Sequence, residues 1–210
     1  MKNIYLLLFT VITAVILASL YGIVHDQITY GISSEYYTKF KFYQFGLIES
    51  PNAFVSNPRE MAVIVGVMAT WWMGLLIGLL LYIAAFNIRP AGYNISVIVK
   101  AMLLTILVTF LVGLSGLVYG LLFLSGQTKE NLKYLELPEN LENIDRYLMV
   151  GTMHNFSYMG GTMGLIAAIL YIKKRKRSLN VLQNKSKIRY ANIALLCCST
   201  AVDRRYYRSA

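Results

Sequence analysis

Four long apolar runs, separated by polar and aromatic segments, set the pattern of this chain. They cover about residues 4–24, 61–86, 101–125 and 148–172, and no Lys, Arg, Asp or Glu interrupts any of them. A helix that crosses the hydrocarbon core of a bilayer needs about 20 residues, so each run is long enough to span. The pattern predicts an all-α polytopic membrane protein. Residues 1–177 form a four-transmembrane-helix bundle, and 178–210 form a basic cytoplasmic tail, surface-lying or disordered. The first run has an apolar stretch longer than the roughly 7–15 residues of a signal-peptide core, and no small-x-small cleavage site follows it. It is expected to remain as a helix.

Within the runs, small residues recur at helical spacing. Ala62, Gly66, Thr70, Gly74 and Gly78 follow one another at four-residue intervals. Thr10, Ala14, Ala18 and Gly22 do the same in the first run. The third offers Thr105, Thr109 and Gly113, with Gly116 and Gly120 beside them. The fourth carries Ser157, Gly161, Gly164 and Ala168. Lipid tails are as apolar as leucine, so membrane helices pack through small residues that let backbones approach. Helix packing is therefore expected at Gly66, Thr70, Gly74, Gly78, Gly161 and Gly164. The second helix also has a readable start, with Asn57 placed to cap it, Pro58 at its first position and Glu60 near the positive end of its dipole.

The segments between the runs differ in character. Residues 25–60 crowd Tyr30, Tyr36, Tyr37, Phe40, Phe42, Tyr43, Phe45 and Phe54 together, and KFKFYQF alternates basic and aromatic positions. This predicts a surface-lying aromatic outer loop that caps the bundle with its rings at headgroup level. The second such segment, 126–147, is polar and acidic, and Pro138 is expected to open a short helix leading into the fourth span.

Composition agrees, with 57% hydrophobic and only 14% charged residues. The formal net charge of +10 gains meaning from where it sits. With four spans, both termini share a side with loop 87–100, where fourteen Lys or Arg face only Asp203. The other side holds six Lys or Arg against nine Asp or Glu, so the sides carry +13 and −3. This positive-inside asymmetry puts both termini in the cytoplasm of a bacterial cell, with the protein in the inner (plasma) membrane. The run KKRKR at 173–177 is then a stop-transfer anchor against anionic lipid headgroups of the bilayer. No nucleic-acid partner is expected. A membrane protein or a second copy of the chain is the expected macromolecular partner. Cys197 and Cys198, adjacent in the tail and without other ligands nearby, suggest neither a disulfide nor a zinc site.

The candidate chemistry lies in the two histidines. At about 100° per residue, one further turn of the first helix places His25 on the Thr10–Ala14–Ala18–Gly22 stripe. His154 lies about 40° from the centre of the stripe on the fourth helix. Counting about 20 residues outward from Ile172 puts the membrane boundary beside His154, at the depth of His25. Two readings follow. The histidines hydrogen-bond between helices, with Asp26 or Asn155 as partner, or they ligate a metal ion or haem. A metal site draws its further ligands from Asp26 and Glu35, since two His and a carboxylate suit zinc or iron with an open position. A haem between His25 and His154 suits a four-helix bundle. No HExxH or nucleophile–base spacing is present.

HDQIT at 25–29, SSEYYTKF at 33–40 and GVMATWWMG at 66–74 resemble a group of uncharacterised bacterial four-helix integral membrane proteins. Those proteins carry His-Asp-Gln-x-Thr, Glu-Tyr-Phe-Thr and Ala-Thr-Trp-Trp motifs. The resemblance covers roughly the first 80 residues. It implies the four-helix membrane fold and no particular activity. Many of that group have a His-Pro pair after the Glu motif, where this chain has KFKFYQF. The expected function is an integral inner-membrane protein with a His/Asp/Glu cluster at its outer face, serving as a structural or accessory membrane subunit. The alternative is a membrane metallo- or haem-protein acting on a small substrate or electron carrier there. Transport has little to work with, because the spans lack charged residues.

Overall fold

Each apolar run folds as one long helix, since an unbroken run of good helix formers satisfies its own backbone without help from solvent. The computed structural model describes residues 2–206 except Asn52, Asn87, Arg89, Pro90, 128–130, Lys133, Tyr134, Glu136 and Glu139. The side chains of 2–3, 91–93 and 187–206 also lie outside the described set. The helices are α1 (Lys2–Ile32), α2 (Pro58–Ala85), α3 (Ala91–Tyr119) and α4 (Ile144–Tyr206), and α3 continues into a π-helical turn, Gly120–Leu124. All four are long and apolar enough to cross a membrane.

Two boundaries differ from the sequence pattern. α1 runs on to Ile32 instead of ending near residue 24, which carries His25, Asp26 and Thr29 on regular helix. α4 does not end at the KKRKR run but stays helical to Tyr206. Residues 173–206 contain neither Gly nor Pro, so nothing in the backbone stops the helix where its polarity changes. The expected division at 177 is therefore no break in the helix. At the start of α2, Pro58 does sit in the first turn with Glu60, but the Asn57 side chain makes no capping bond.

The small stripes join the helices in two antiparallel pairs. Between α1 and α2, Gly22 faces the Gly66 backbone and the Thr70 side chain. A Cβ built on Gly74 would lie 2.7 Å from the Ala14 carbonyl oxygen, and one on Gly78 2.9 Å from the Ala14 Cβ. Between α3 and α4, a Cβ on Gly164 would meet the Thr105 carbonyl oxygen at 2.7 Å, and one on Gly160 the Thr109 Cα at 2.9 Å. Gly116 and Gly120 give way in the same manner to Phe156, Thr152 and Met149. At such separations any side chain forces the backbones apart, so dispersion between close helices is what these glycines secure.

Where the two pairs meet, the interior divides by level. Towards the termini the seam is filled by Ala14, Leu81, Ala85, Ile98, Ala101, Met102, Ala168 and Ile172. Lys176 reaches across there to donate to the Phe86 carbonyl that ends α2. Towards the long loops a second core forms around Tyr36, Tyr37, Phe42, Val65, Tyr147 and Val150.

That second core overturns the picture of a loop lying on the surface. After α1 the extended Ser33 accepts the Tyr36 amide on its side chain. A π-helical turn over Tyr37–Lys41 follows. The wider turn brings Tyr37 and Lys41 to the same inward face as Phe42. Tyr37 and Phe42 are fully buried, while Tyr43 and Phe54 remain exposed. The rings divide between a roof over the bundle and its outside. Glu35 latches this roof down. Its carboxylate accepts from Lys39 Nζ and from the backbone amides of Glu142 and Asn143, the latter two at 2.9 Å. Lys39 also donates to the Asn140 carbonyl.

Candidate functional site

Under the roof, the seam between α1 and α4 holds His25, Asp26 and His154, each at most 6% exposed. They are a group of possible metal-ligating side chains among the described residues, with one ligand atom of each within 4.8 Å of the others. α1 supplies two because it continues past its apolar run, and α4 supplies His154 from the face that turns towards α1. The imidazole rings meet edge to face with centroids 4.6 Å apart.

The contacts assign most of the protons. His154 Nδ1 lies 2.9 Å from the Val150 carbonyl oxygen. A carbonyl only accepts, so this nitrogen carries hydrogen. In the neutral ring Nε2 then presents a lone pair, and it lies 3.3 Å from Asp26 Oδ1. The same oxygen lies 3.1 Å from His25 Nδ1. The other nitrogen of His25, Nε2, meets Ser157 Oγ at 3.1 Å, and Ser157 in turn takes the Tyr21 hydroxyl at 3.4 Å. Asp26 Oδ2 and His154 Nε2 are buried without a hydrogen-bond partner. His25 Nδ1 and His154 Nε2 thus both face Asp26 Oδ1, at 3.1 and 3.3 Å, and a buried carboxylate between two imidazoles is costly unless a proton or a cation answers it.

The arrangement fits a divalent metal. Around a four-coordinate zinc with bonds of about 2.0 Å, neighbouring ligand atoms stand about 3.3 Å apart. The two measured edges, 3.1 Å and 3.3 Å, are of that length. Each histidine is also held through its second nitrogen, one by the Val150 carbonyl and one by Ser157, as ligating imidazoles are. A haem does not fit. Its two axial imidazoles stand on opposite faces of a macrocycle, whereas these rings touch edge to face at 4.6 Å. The adjoining cavity is about 80 Å³, against roughly 300 Å³ or more for pockets that hold drug-sized groups.

Ser157, His25 and Asp26 also line up as a nucleophile, base and orienting acid would, by roles and spacing. That reading lacks an oxyanion hole. Ser157 sits in the interior of α4, where the amide N–H groups are taken up by the helix itself.

Of the residues singled out in the sequence, His25, His154 and Asp26 come together. Glu35, expected as a further ligand, does not join them, because both its oxygens are committed to Lys39 and the amides before α4. Asn155 is exposed and is no partner of either histidine. The sequence reading missed Ser157 as a histidine partner, counting it only as a small packing residue. Its position three residues after His154 was the available signal. The aromatic segment expected to cap the bundle lies over the site: the Tyr36 ring lies 5.0 Å and the Tyr37 ring 6.2 Å from the His154 ring. Lys41, buried among Tyr36, Phe40 and Phe45 at 5.4–6.0 Å, brings a cationic group into the same roof. Burial pushes its ammonium below the ordinary lysine value, with the charge of Asp26 opposing. Comparison with protein-family models, with curated proteins and with solved structures finds no match to this chain.

Proposed function

We propose that this is an integral membrane metalloprotein whose functional centre is a divalent metal held by His25, Asp26 and His154. The buried grouping of the three ligand atoms, with His25 Nδ1 and His154 Nε2 at 3.1 and 3.3 Å from Asp26 Oδ1, is the observation that carries this reading. Three protein ligands leave a coordination position open, the condition for a catalytic or ligand-binding metal rather than a closed structural one. When bound, the metal supplies Lewis acidity or redox chemistry. The chain orients the imidazoles through Ser157 and the Val150 carbonyl and excludes water with the Tyr36–Phe42 roof. The charge asymmetry supports an orientation with both termini cytoplasmic and the metal near the outer surface. KKRKR would then rest against anionic lipid on the inner side.

Metal analysis of the purified full-length protein tests the reading. Wild type should bind about one zinc or iron per chain, and His25→Ala and His154→Ala should each abolish it. Ser157→Ala, which removes a group behind a ligand, should weaken affinity by about 10- to 100-fold. Wild-type protein that binds no divalent metal from a chelator-buffered series would overturn the proposal. Reporter fusions after Ala210 and within 126–147 check the orientation, with cytoplasmic and external signals expected respectively.

A further inference from the structure

The cavity beside the cluster has walls that say what can enter it. It occupies about 80 Å³ and is lined by residues of all four helices, among them Ala69, Thr70, Met73, Thr105, Thr109 and Gly161. A smaller cavity of about 40 Å³ shares Ala18, Ile77, Thr105 and Ile106 with it and extends the open seam towards the termini. The threonines do not make these walls polar. Thr70, Thr105 and Thr109 each donate to the carbonyl four residues back in their own helix, at 2.7, 3.0 and 2.8 Å. Their hydroxyl hydrogens are therefore committed. A buried water needs about 2–4 polar partners, and away from the cluster and the neighbouring hydroxyls of Tyr21, Ser157 and Tyr158 these walls offer few.

Gly161 explains why the space exists. The packing glycines of the two pairs meet a neighbouring helix closely; a Cβ on Gly164, for instance, would lie 2.7 Å from the Thr105 carbonyl oxygen. A Cβ on Gly161 would meet only the end of the Met73 side chain, at 3.3 Å. Gly161 was expected from the sequence to pack helices. It instead keeps the chamber open, with the flexible Met73 thioether as the far wall.

Resting on the metal reading above, we infer that the open coordination position takes an uncharged diatomic gas of the dioxygen class. The chamber, at about 80 Å³, is smaller than the roughly 150 Å³ engineered cavity that admits benzene, so it favours a very small ligand. Its polar lining is gathered at the cluster end, where Tyr21, Ser157 and Tyr158 stand beside the three ligands, and the rest of the wall offers a larger polar or ionic substrate little to bind, whereas a diatomic needs only volume and the metal.

The test uses the full-length protein loaded with iron(II) in detergent and nitric oxide as the diatomic probe. Wild type should give the half-integer-spin EPR signal of an iron(II)–nitrosyl. Gly161→Leu should retain iron at the wild-type stoichiometry and lose that signal, because the new side chain fills the chamber while all three ligands remain. Adding Met73→Ala to Gly161→Leu returns the volume and should restore the signal, which separates blockage from misfolding. An undiminished nitrosyl signal in iron-loaded Gly161→Leu would overturn the inference, as would iron-loaded wild type that does not bind nitric oxide. A protein that takes up no divalent metal would overturn the metal reading, and this inference with it.

Discussion

The contacts inside each helix pair and the seam between the pairs are built on opposite terms. Inside the pairs, glycines such as Gly66, Gly74, Gly160 and Gly164 bring backbones together until no side chain fits between them. Between the pairs, the same class of residue leaves a chamber, and the polar groups of α1 and α4 face each other with lone pairs unanswered. Close approach of backbones supplies dispersion attraction between helices. Rigidity in this bundle therefore comes from the pairs, and the seam is free to hold chemistry. Tight pairing on both sides is what fixes His25 and His154 at a distance useful to a metal.

The largest effect should come from breaking a pair. Gly74→Leu forces a side chain into the Ala14 carbonyl and the Ala18 Cβ, which a Cβ alone would meet at 2.7 and 2.8 Å. Overpacking of this kind costs about 3 kcal/mol, at the upper end of its usual range. Leu80→Ala lies on the same helix with a 43% exposed side chain, and should cost less than about 1 kcal/mol. Thermal unfolding in detergent measures both. Equal stability of the two variants would mean that the glycine stripe does not set the pairing.

The next effect sharpens the other side of the comparison. If the seam is built for a metal, saturating zinc at about 100 times its dissociation constant should stabilise wild type by about 2.7 kcal/mol over the chelated protein. His154→Ala should remove that gain, while the cavity left by the buried ring lowers the stability of the chelated protein by about 2–5 kcal/mol whatever its role. The zinc-dependent gain is therefore the readout. A purely structural cluster shows no such gain in wild type or in the variant. Unfolding curves of wild type and His154→Ala, with zinc and with chelator, decide between them.

How the sequence led to part of this site and away from the rest follows from the same contrast. The histidines could be placed because both sit on regular helix, where 100° per residue and 1.5 Å of rise fix face and depth. The pairing glycines were legible for the same reason. Glu35 was not, because beside Lys39 its partners are backbone amides of Glu142 and Asn143, more than a hundred residues away across an irregular connection. Its lack of a visible role made it look like a ligand. The alternation in KFKFYQF suggested an amphipathic surface strip. A π-helical turn changes which residues share a face, and put Tyr37 and Lys41 inside. Ser157 has the small size that packing wants and the hydroxyl that His25 uses, and sequence spacing does not choose between the two.

The latch that holds the roof over the seam should respond to pH. Burial by itself would raise the Glu35 carboxyl, but the Lys39 ammonium and the amides of Glu142 and Asn143 outweigh it and hold the group below its ordinary value. A carboxyl lowered on folding stabilises the fold above its unfolded pKa and ceases to do so as pH falls through its folded one. Glu35→Gln should therefore cost about 1 kcal/mol near neutral pH. The difference from wild type should shrink as the pH drops through and below the usual carboxylate range. Melting temperatures of the two proteins across acidic pH measure this, and a gap that widens on acidification would contradict the latch.

The smallest effect concerns how far the roof belongs to the site. Tyr37 is fully buried, and its hydroxyl lies 2.6 Å from Thr29 Oγ1. Thr29 also bonds the His25 carbonyl at 2.9 Å, so Tyr37→Phe removes one hydrogen bond without stranding the threonine. The ring stays in place beside His154, and the roof keeps its shape. The expected cost is about 1 kcal/mol or less. Burial first, and the charge of Asp26 second, push the Tyr37 phenol well above its ordinary value, so it stays protonated at any pH the protein tolerates. Its contribution should thus be flat from acid to mildly alkaline pH, where that of Glu35 is not. Metal content should match wild type, because in this arrangement the phenol packs over the ligands and bonds Thr29. A Tyr37→Phe protein that loses its metal would move Tyr37 from the roof into the ligand set, and the seam would then be a four-ligand site with no position left open.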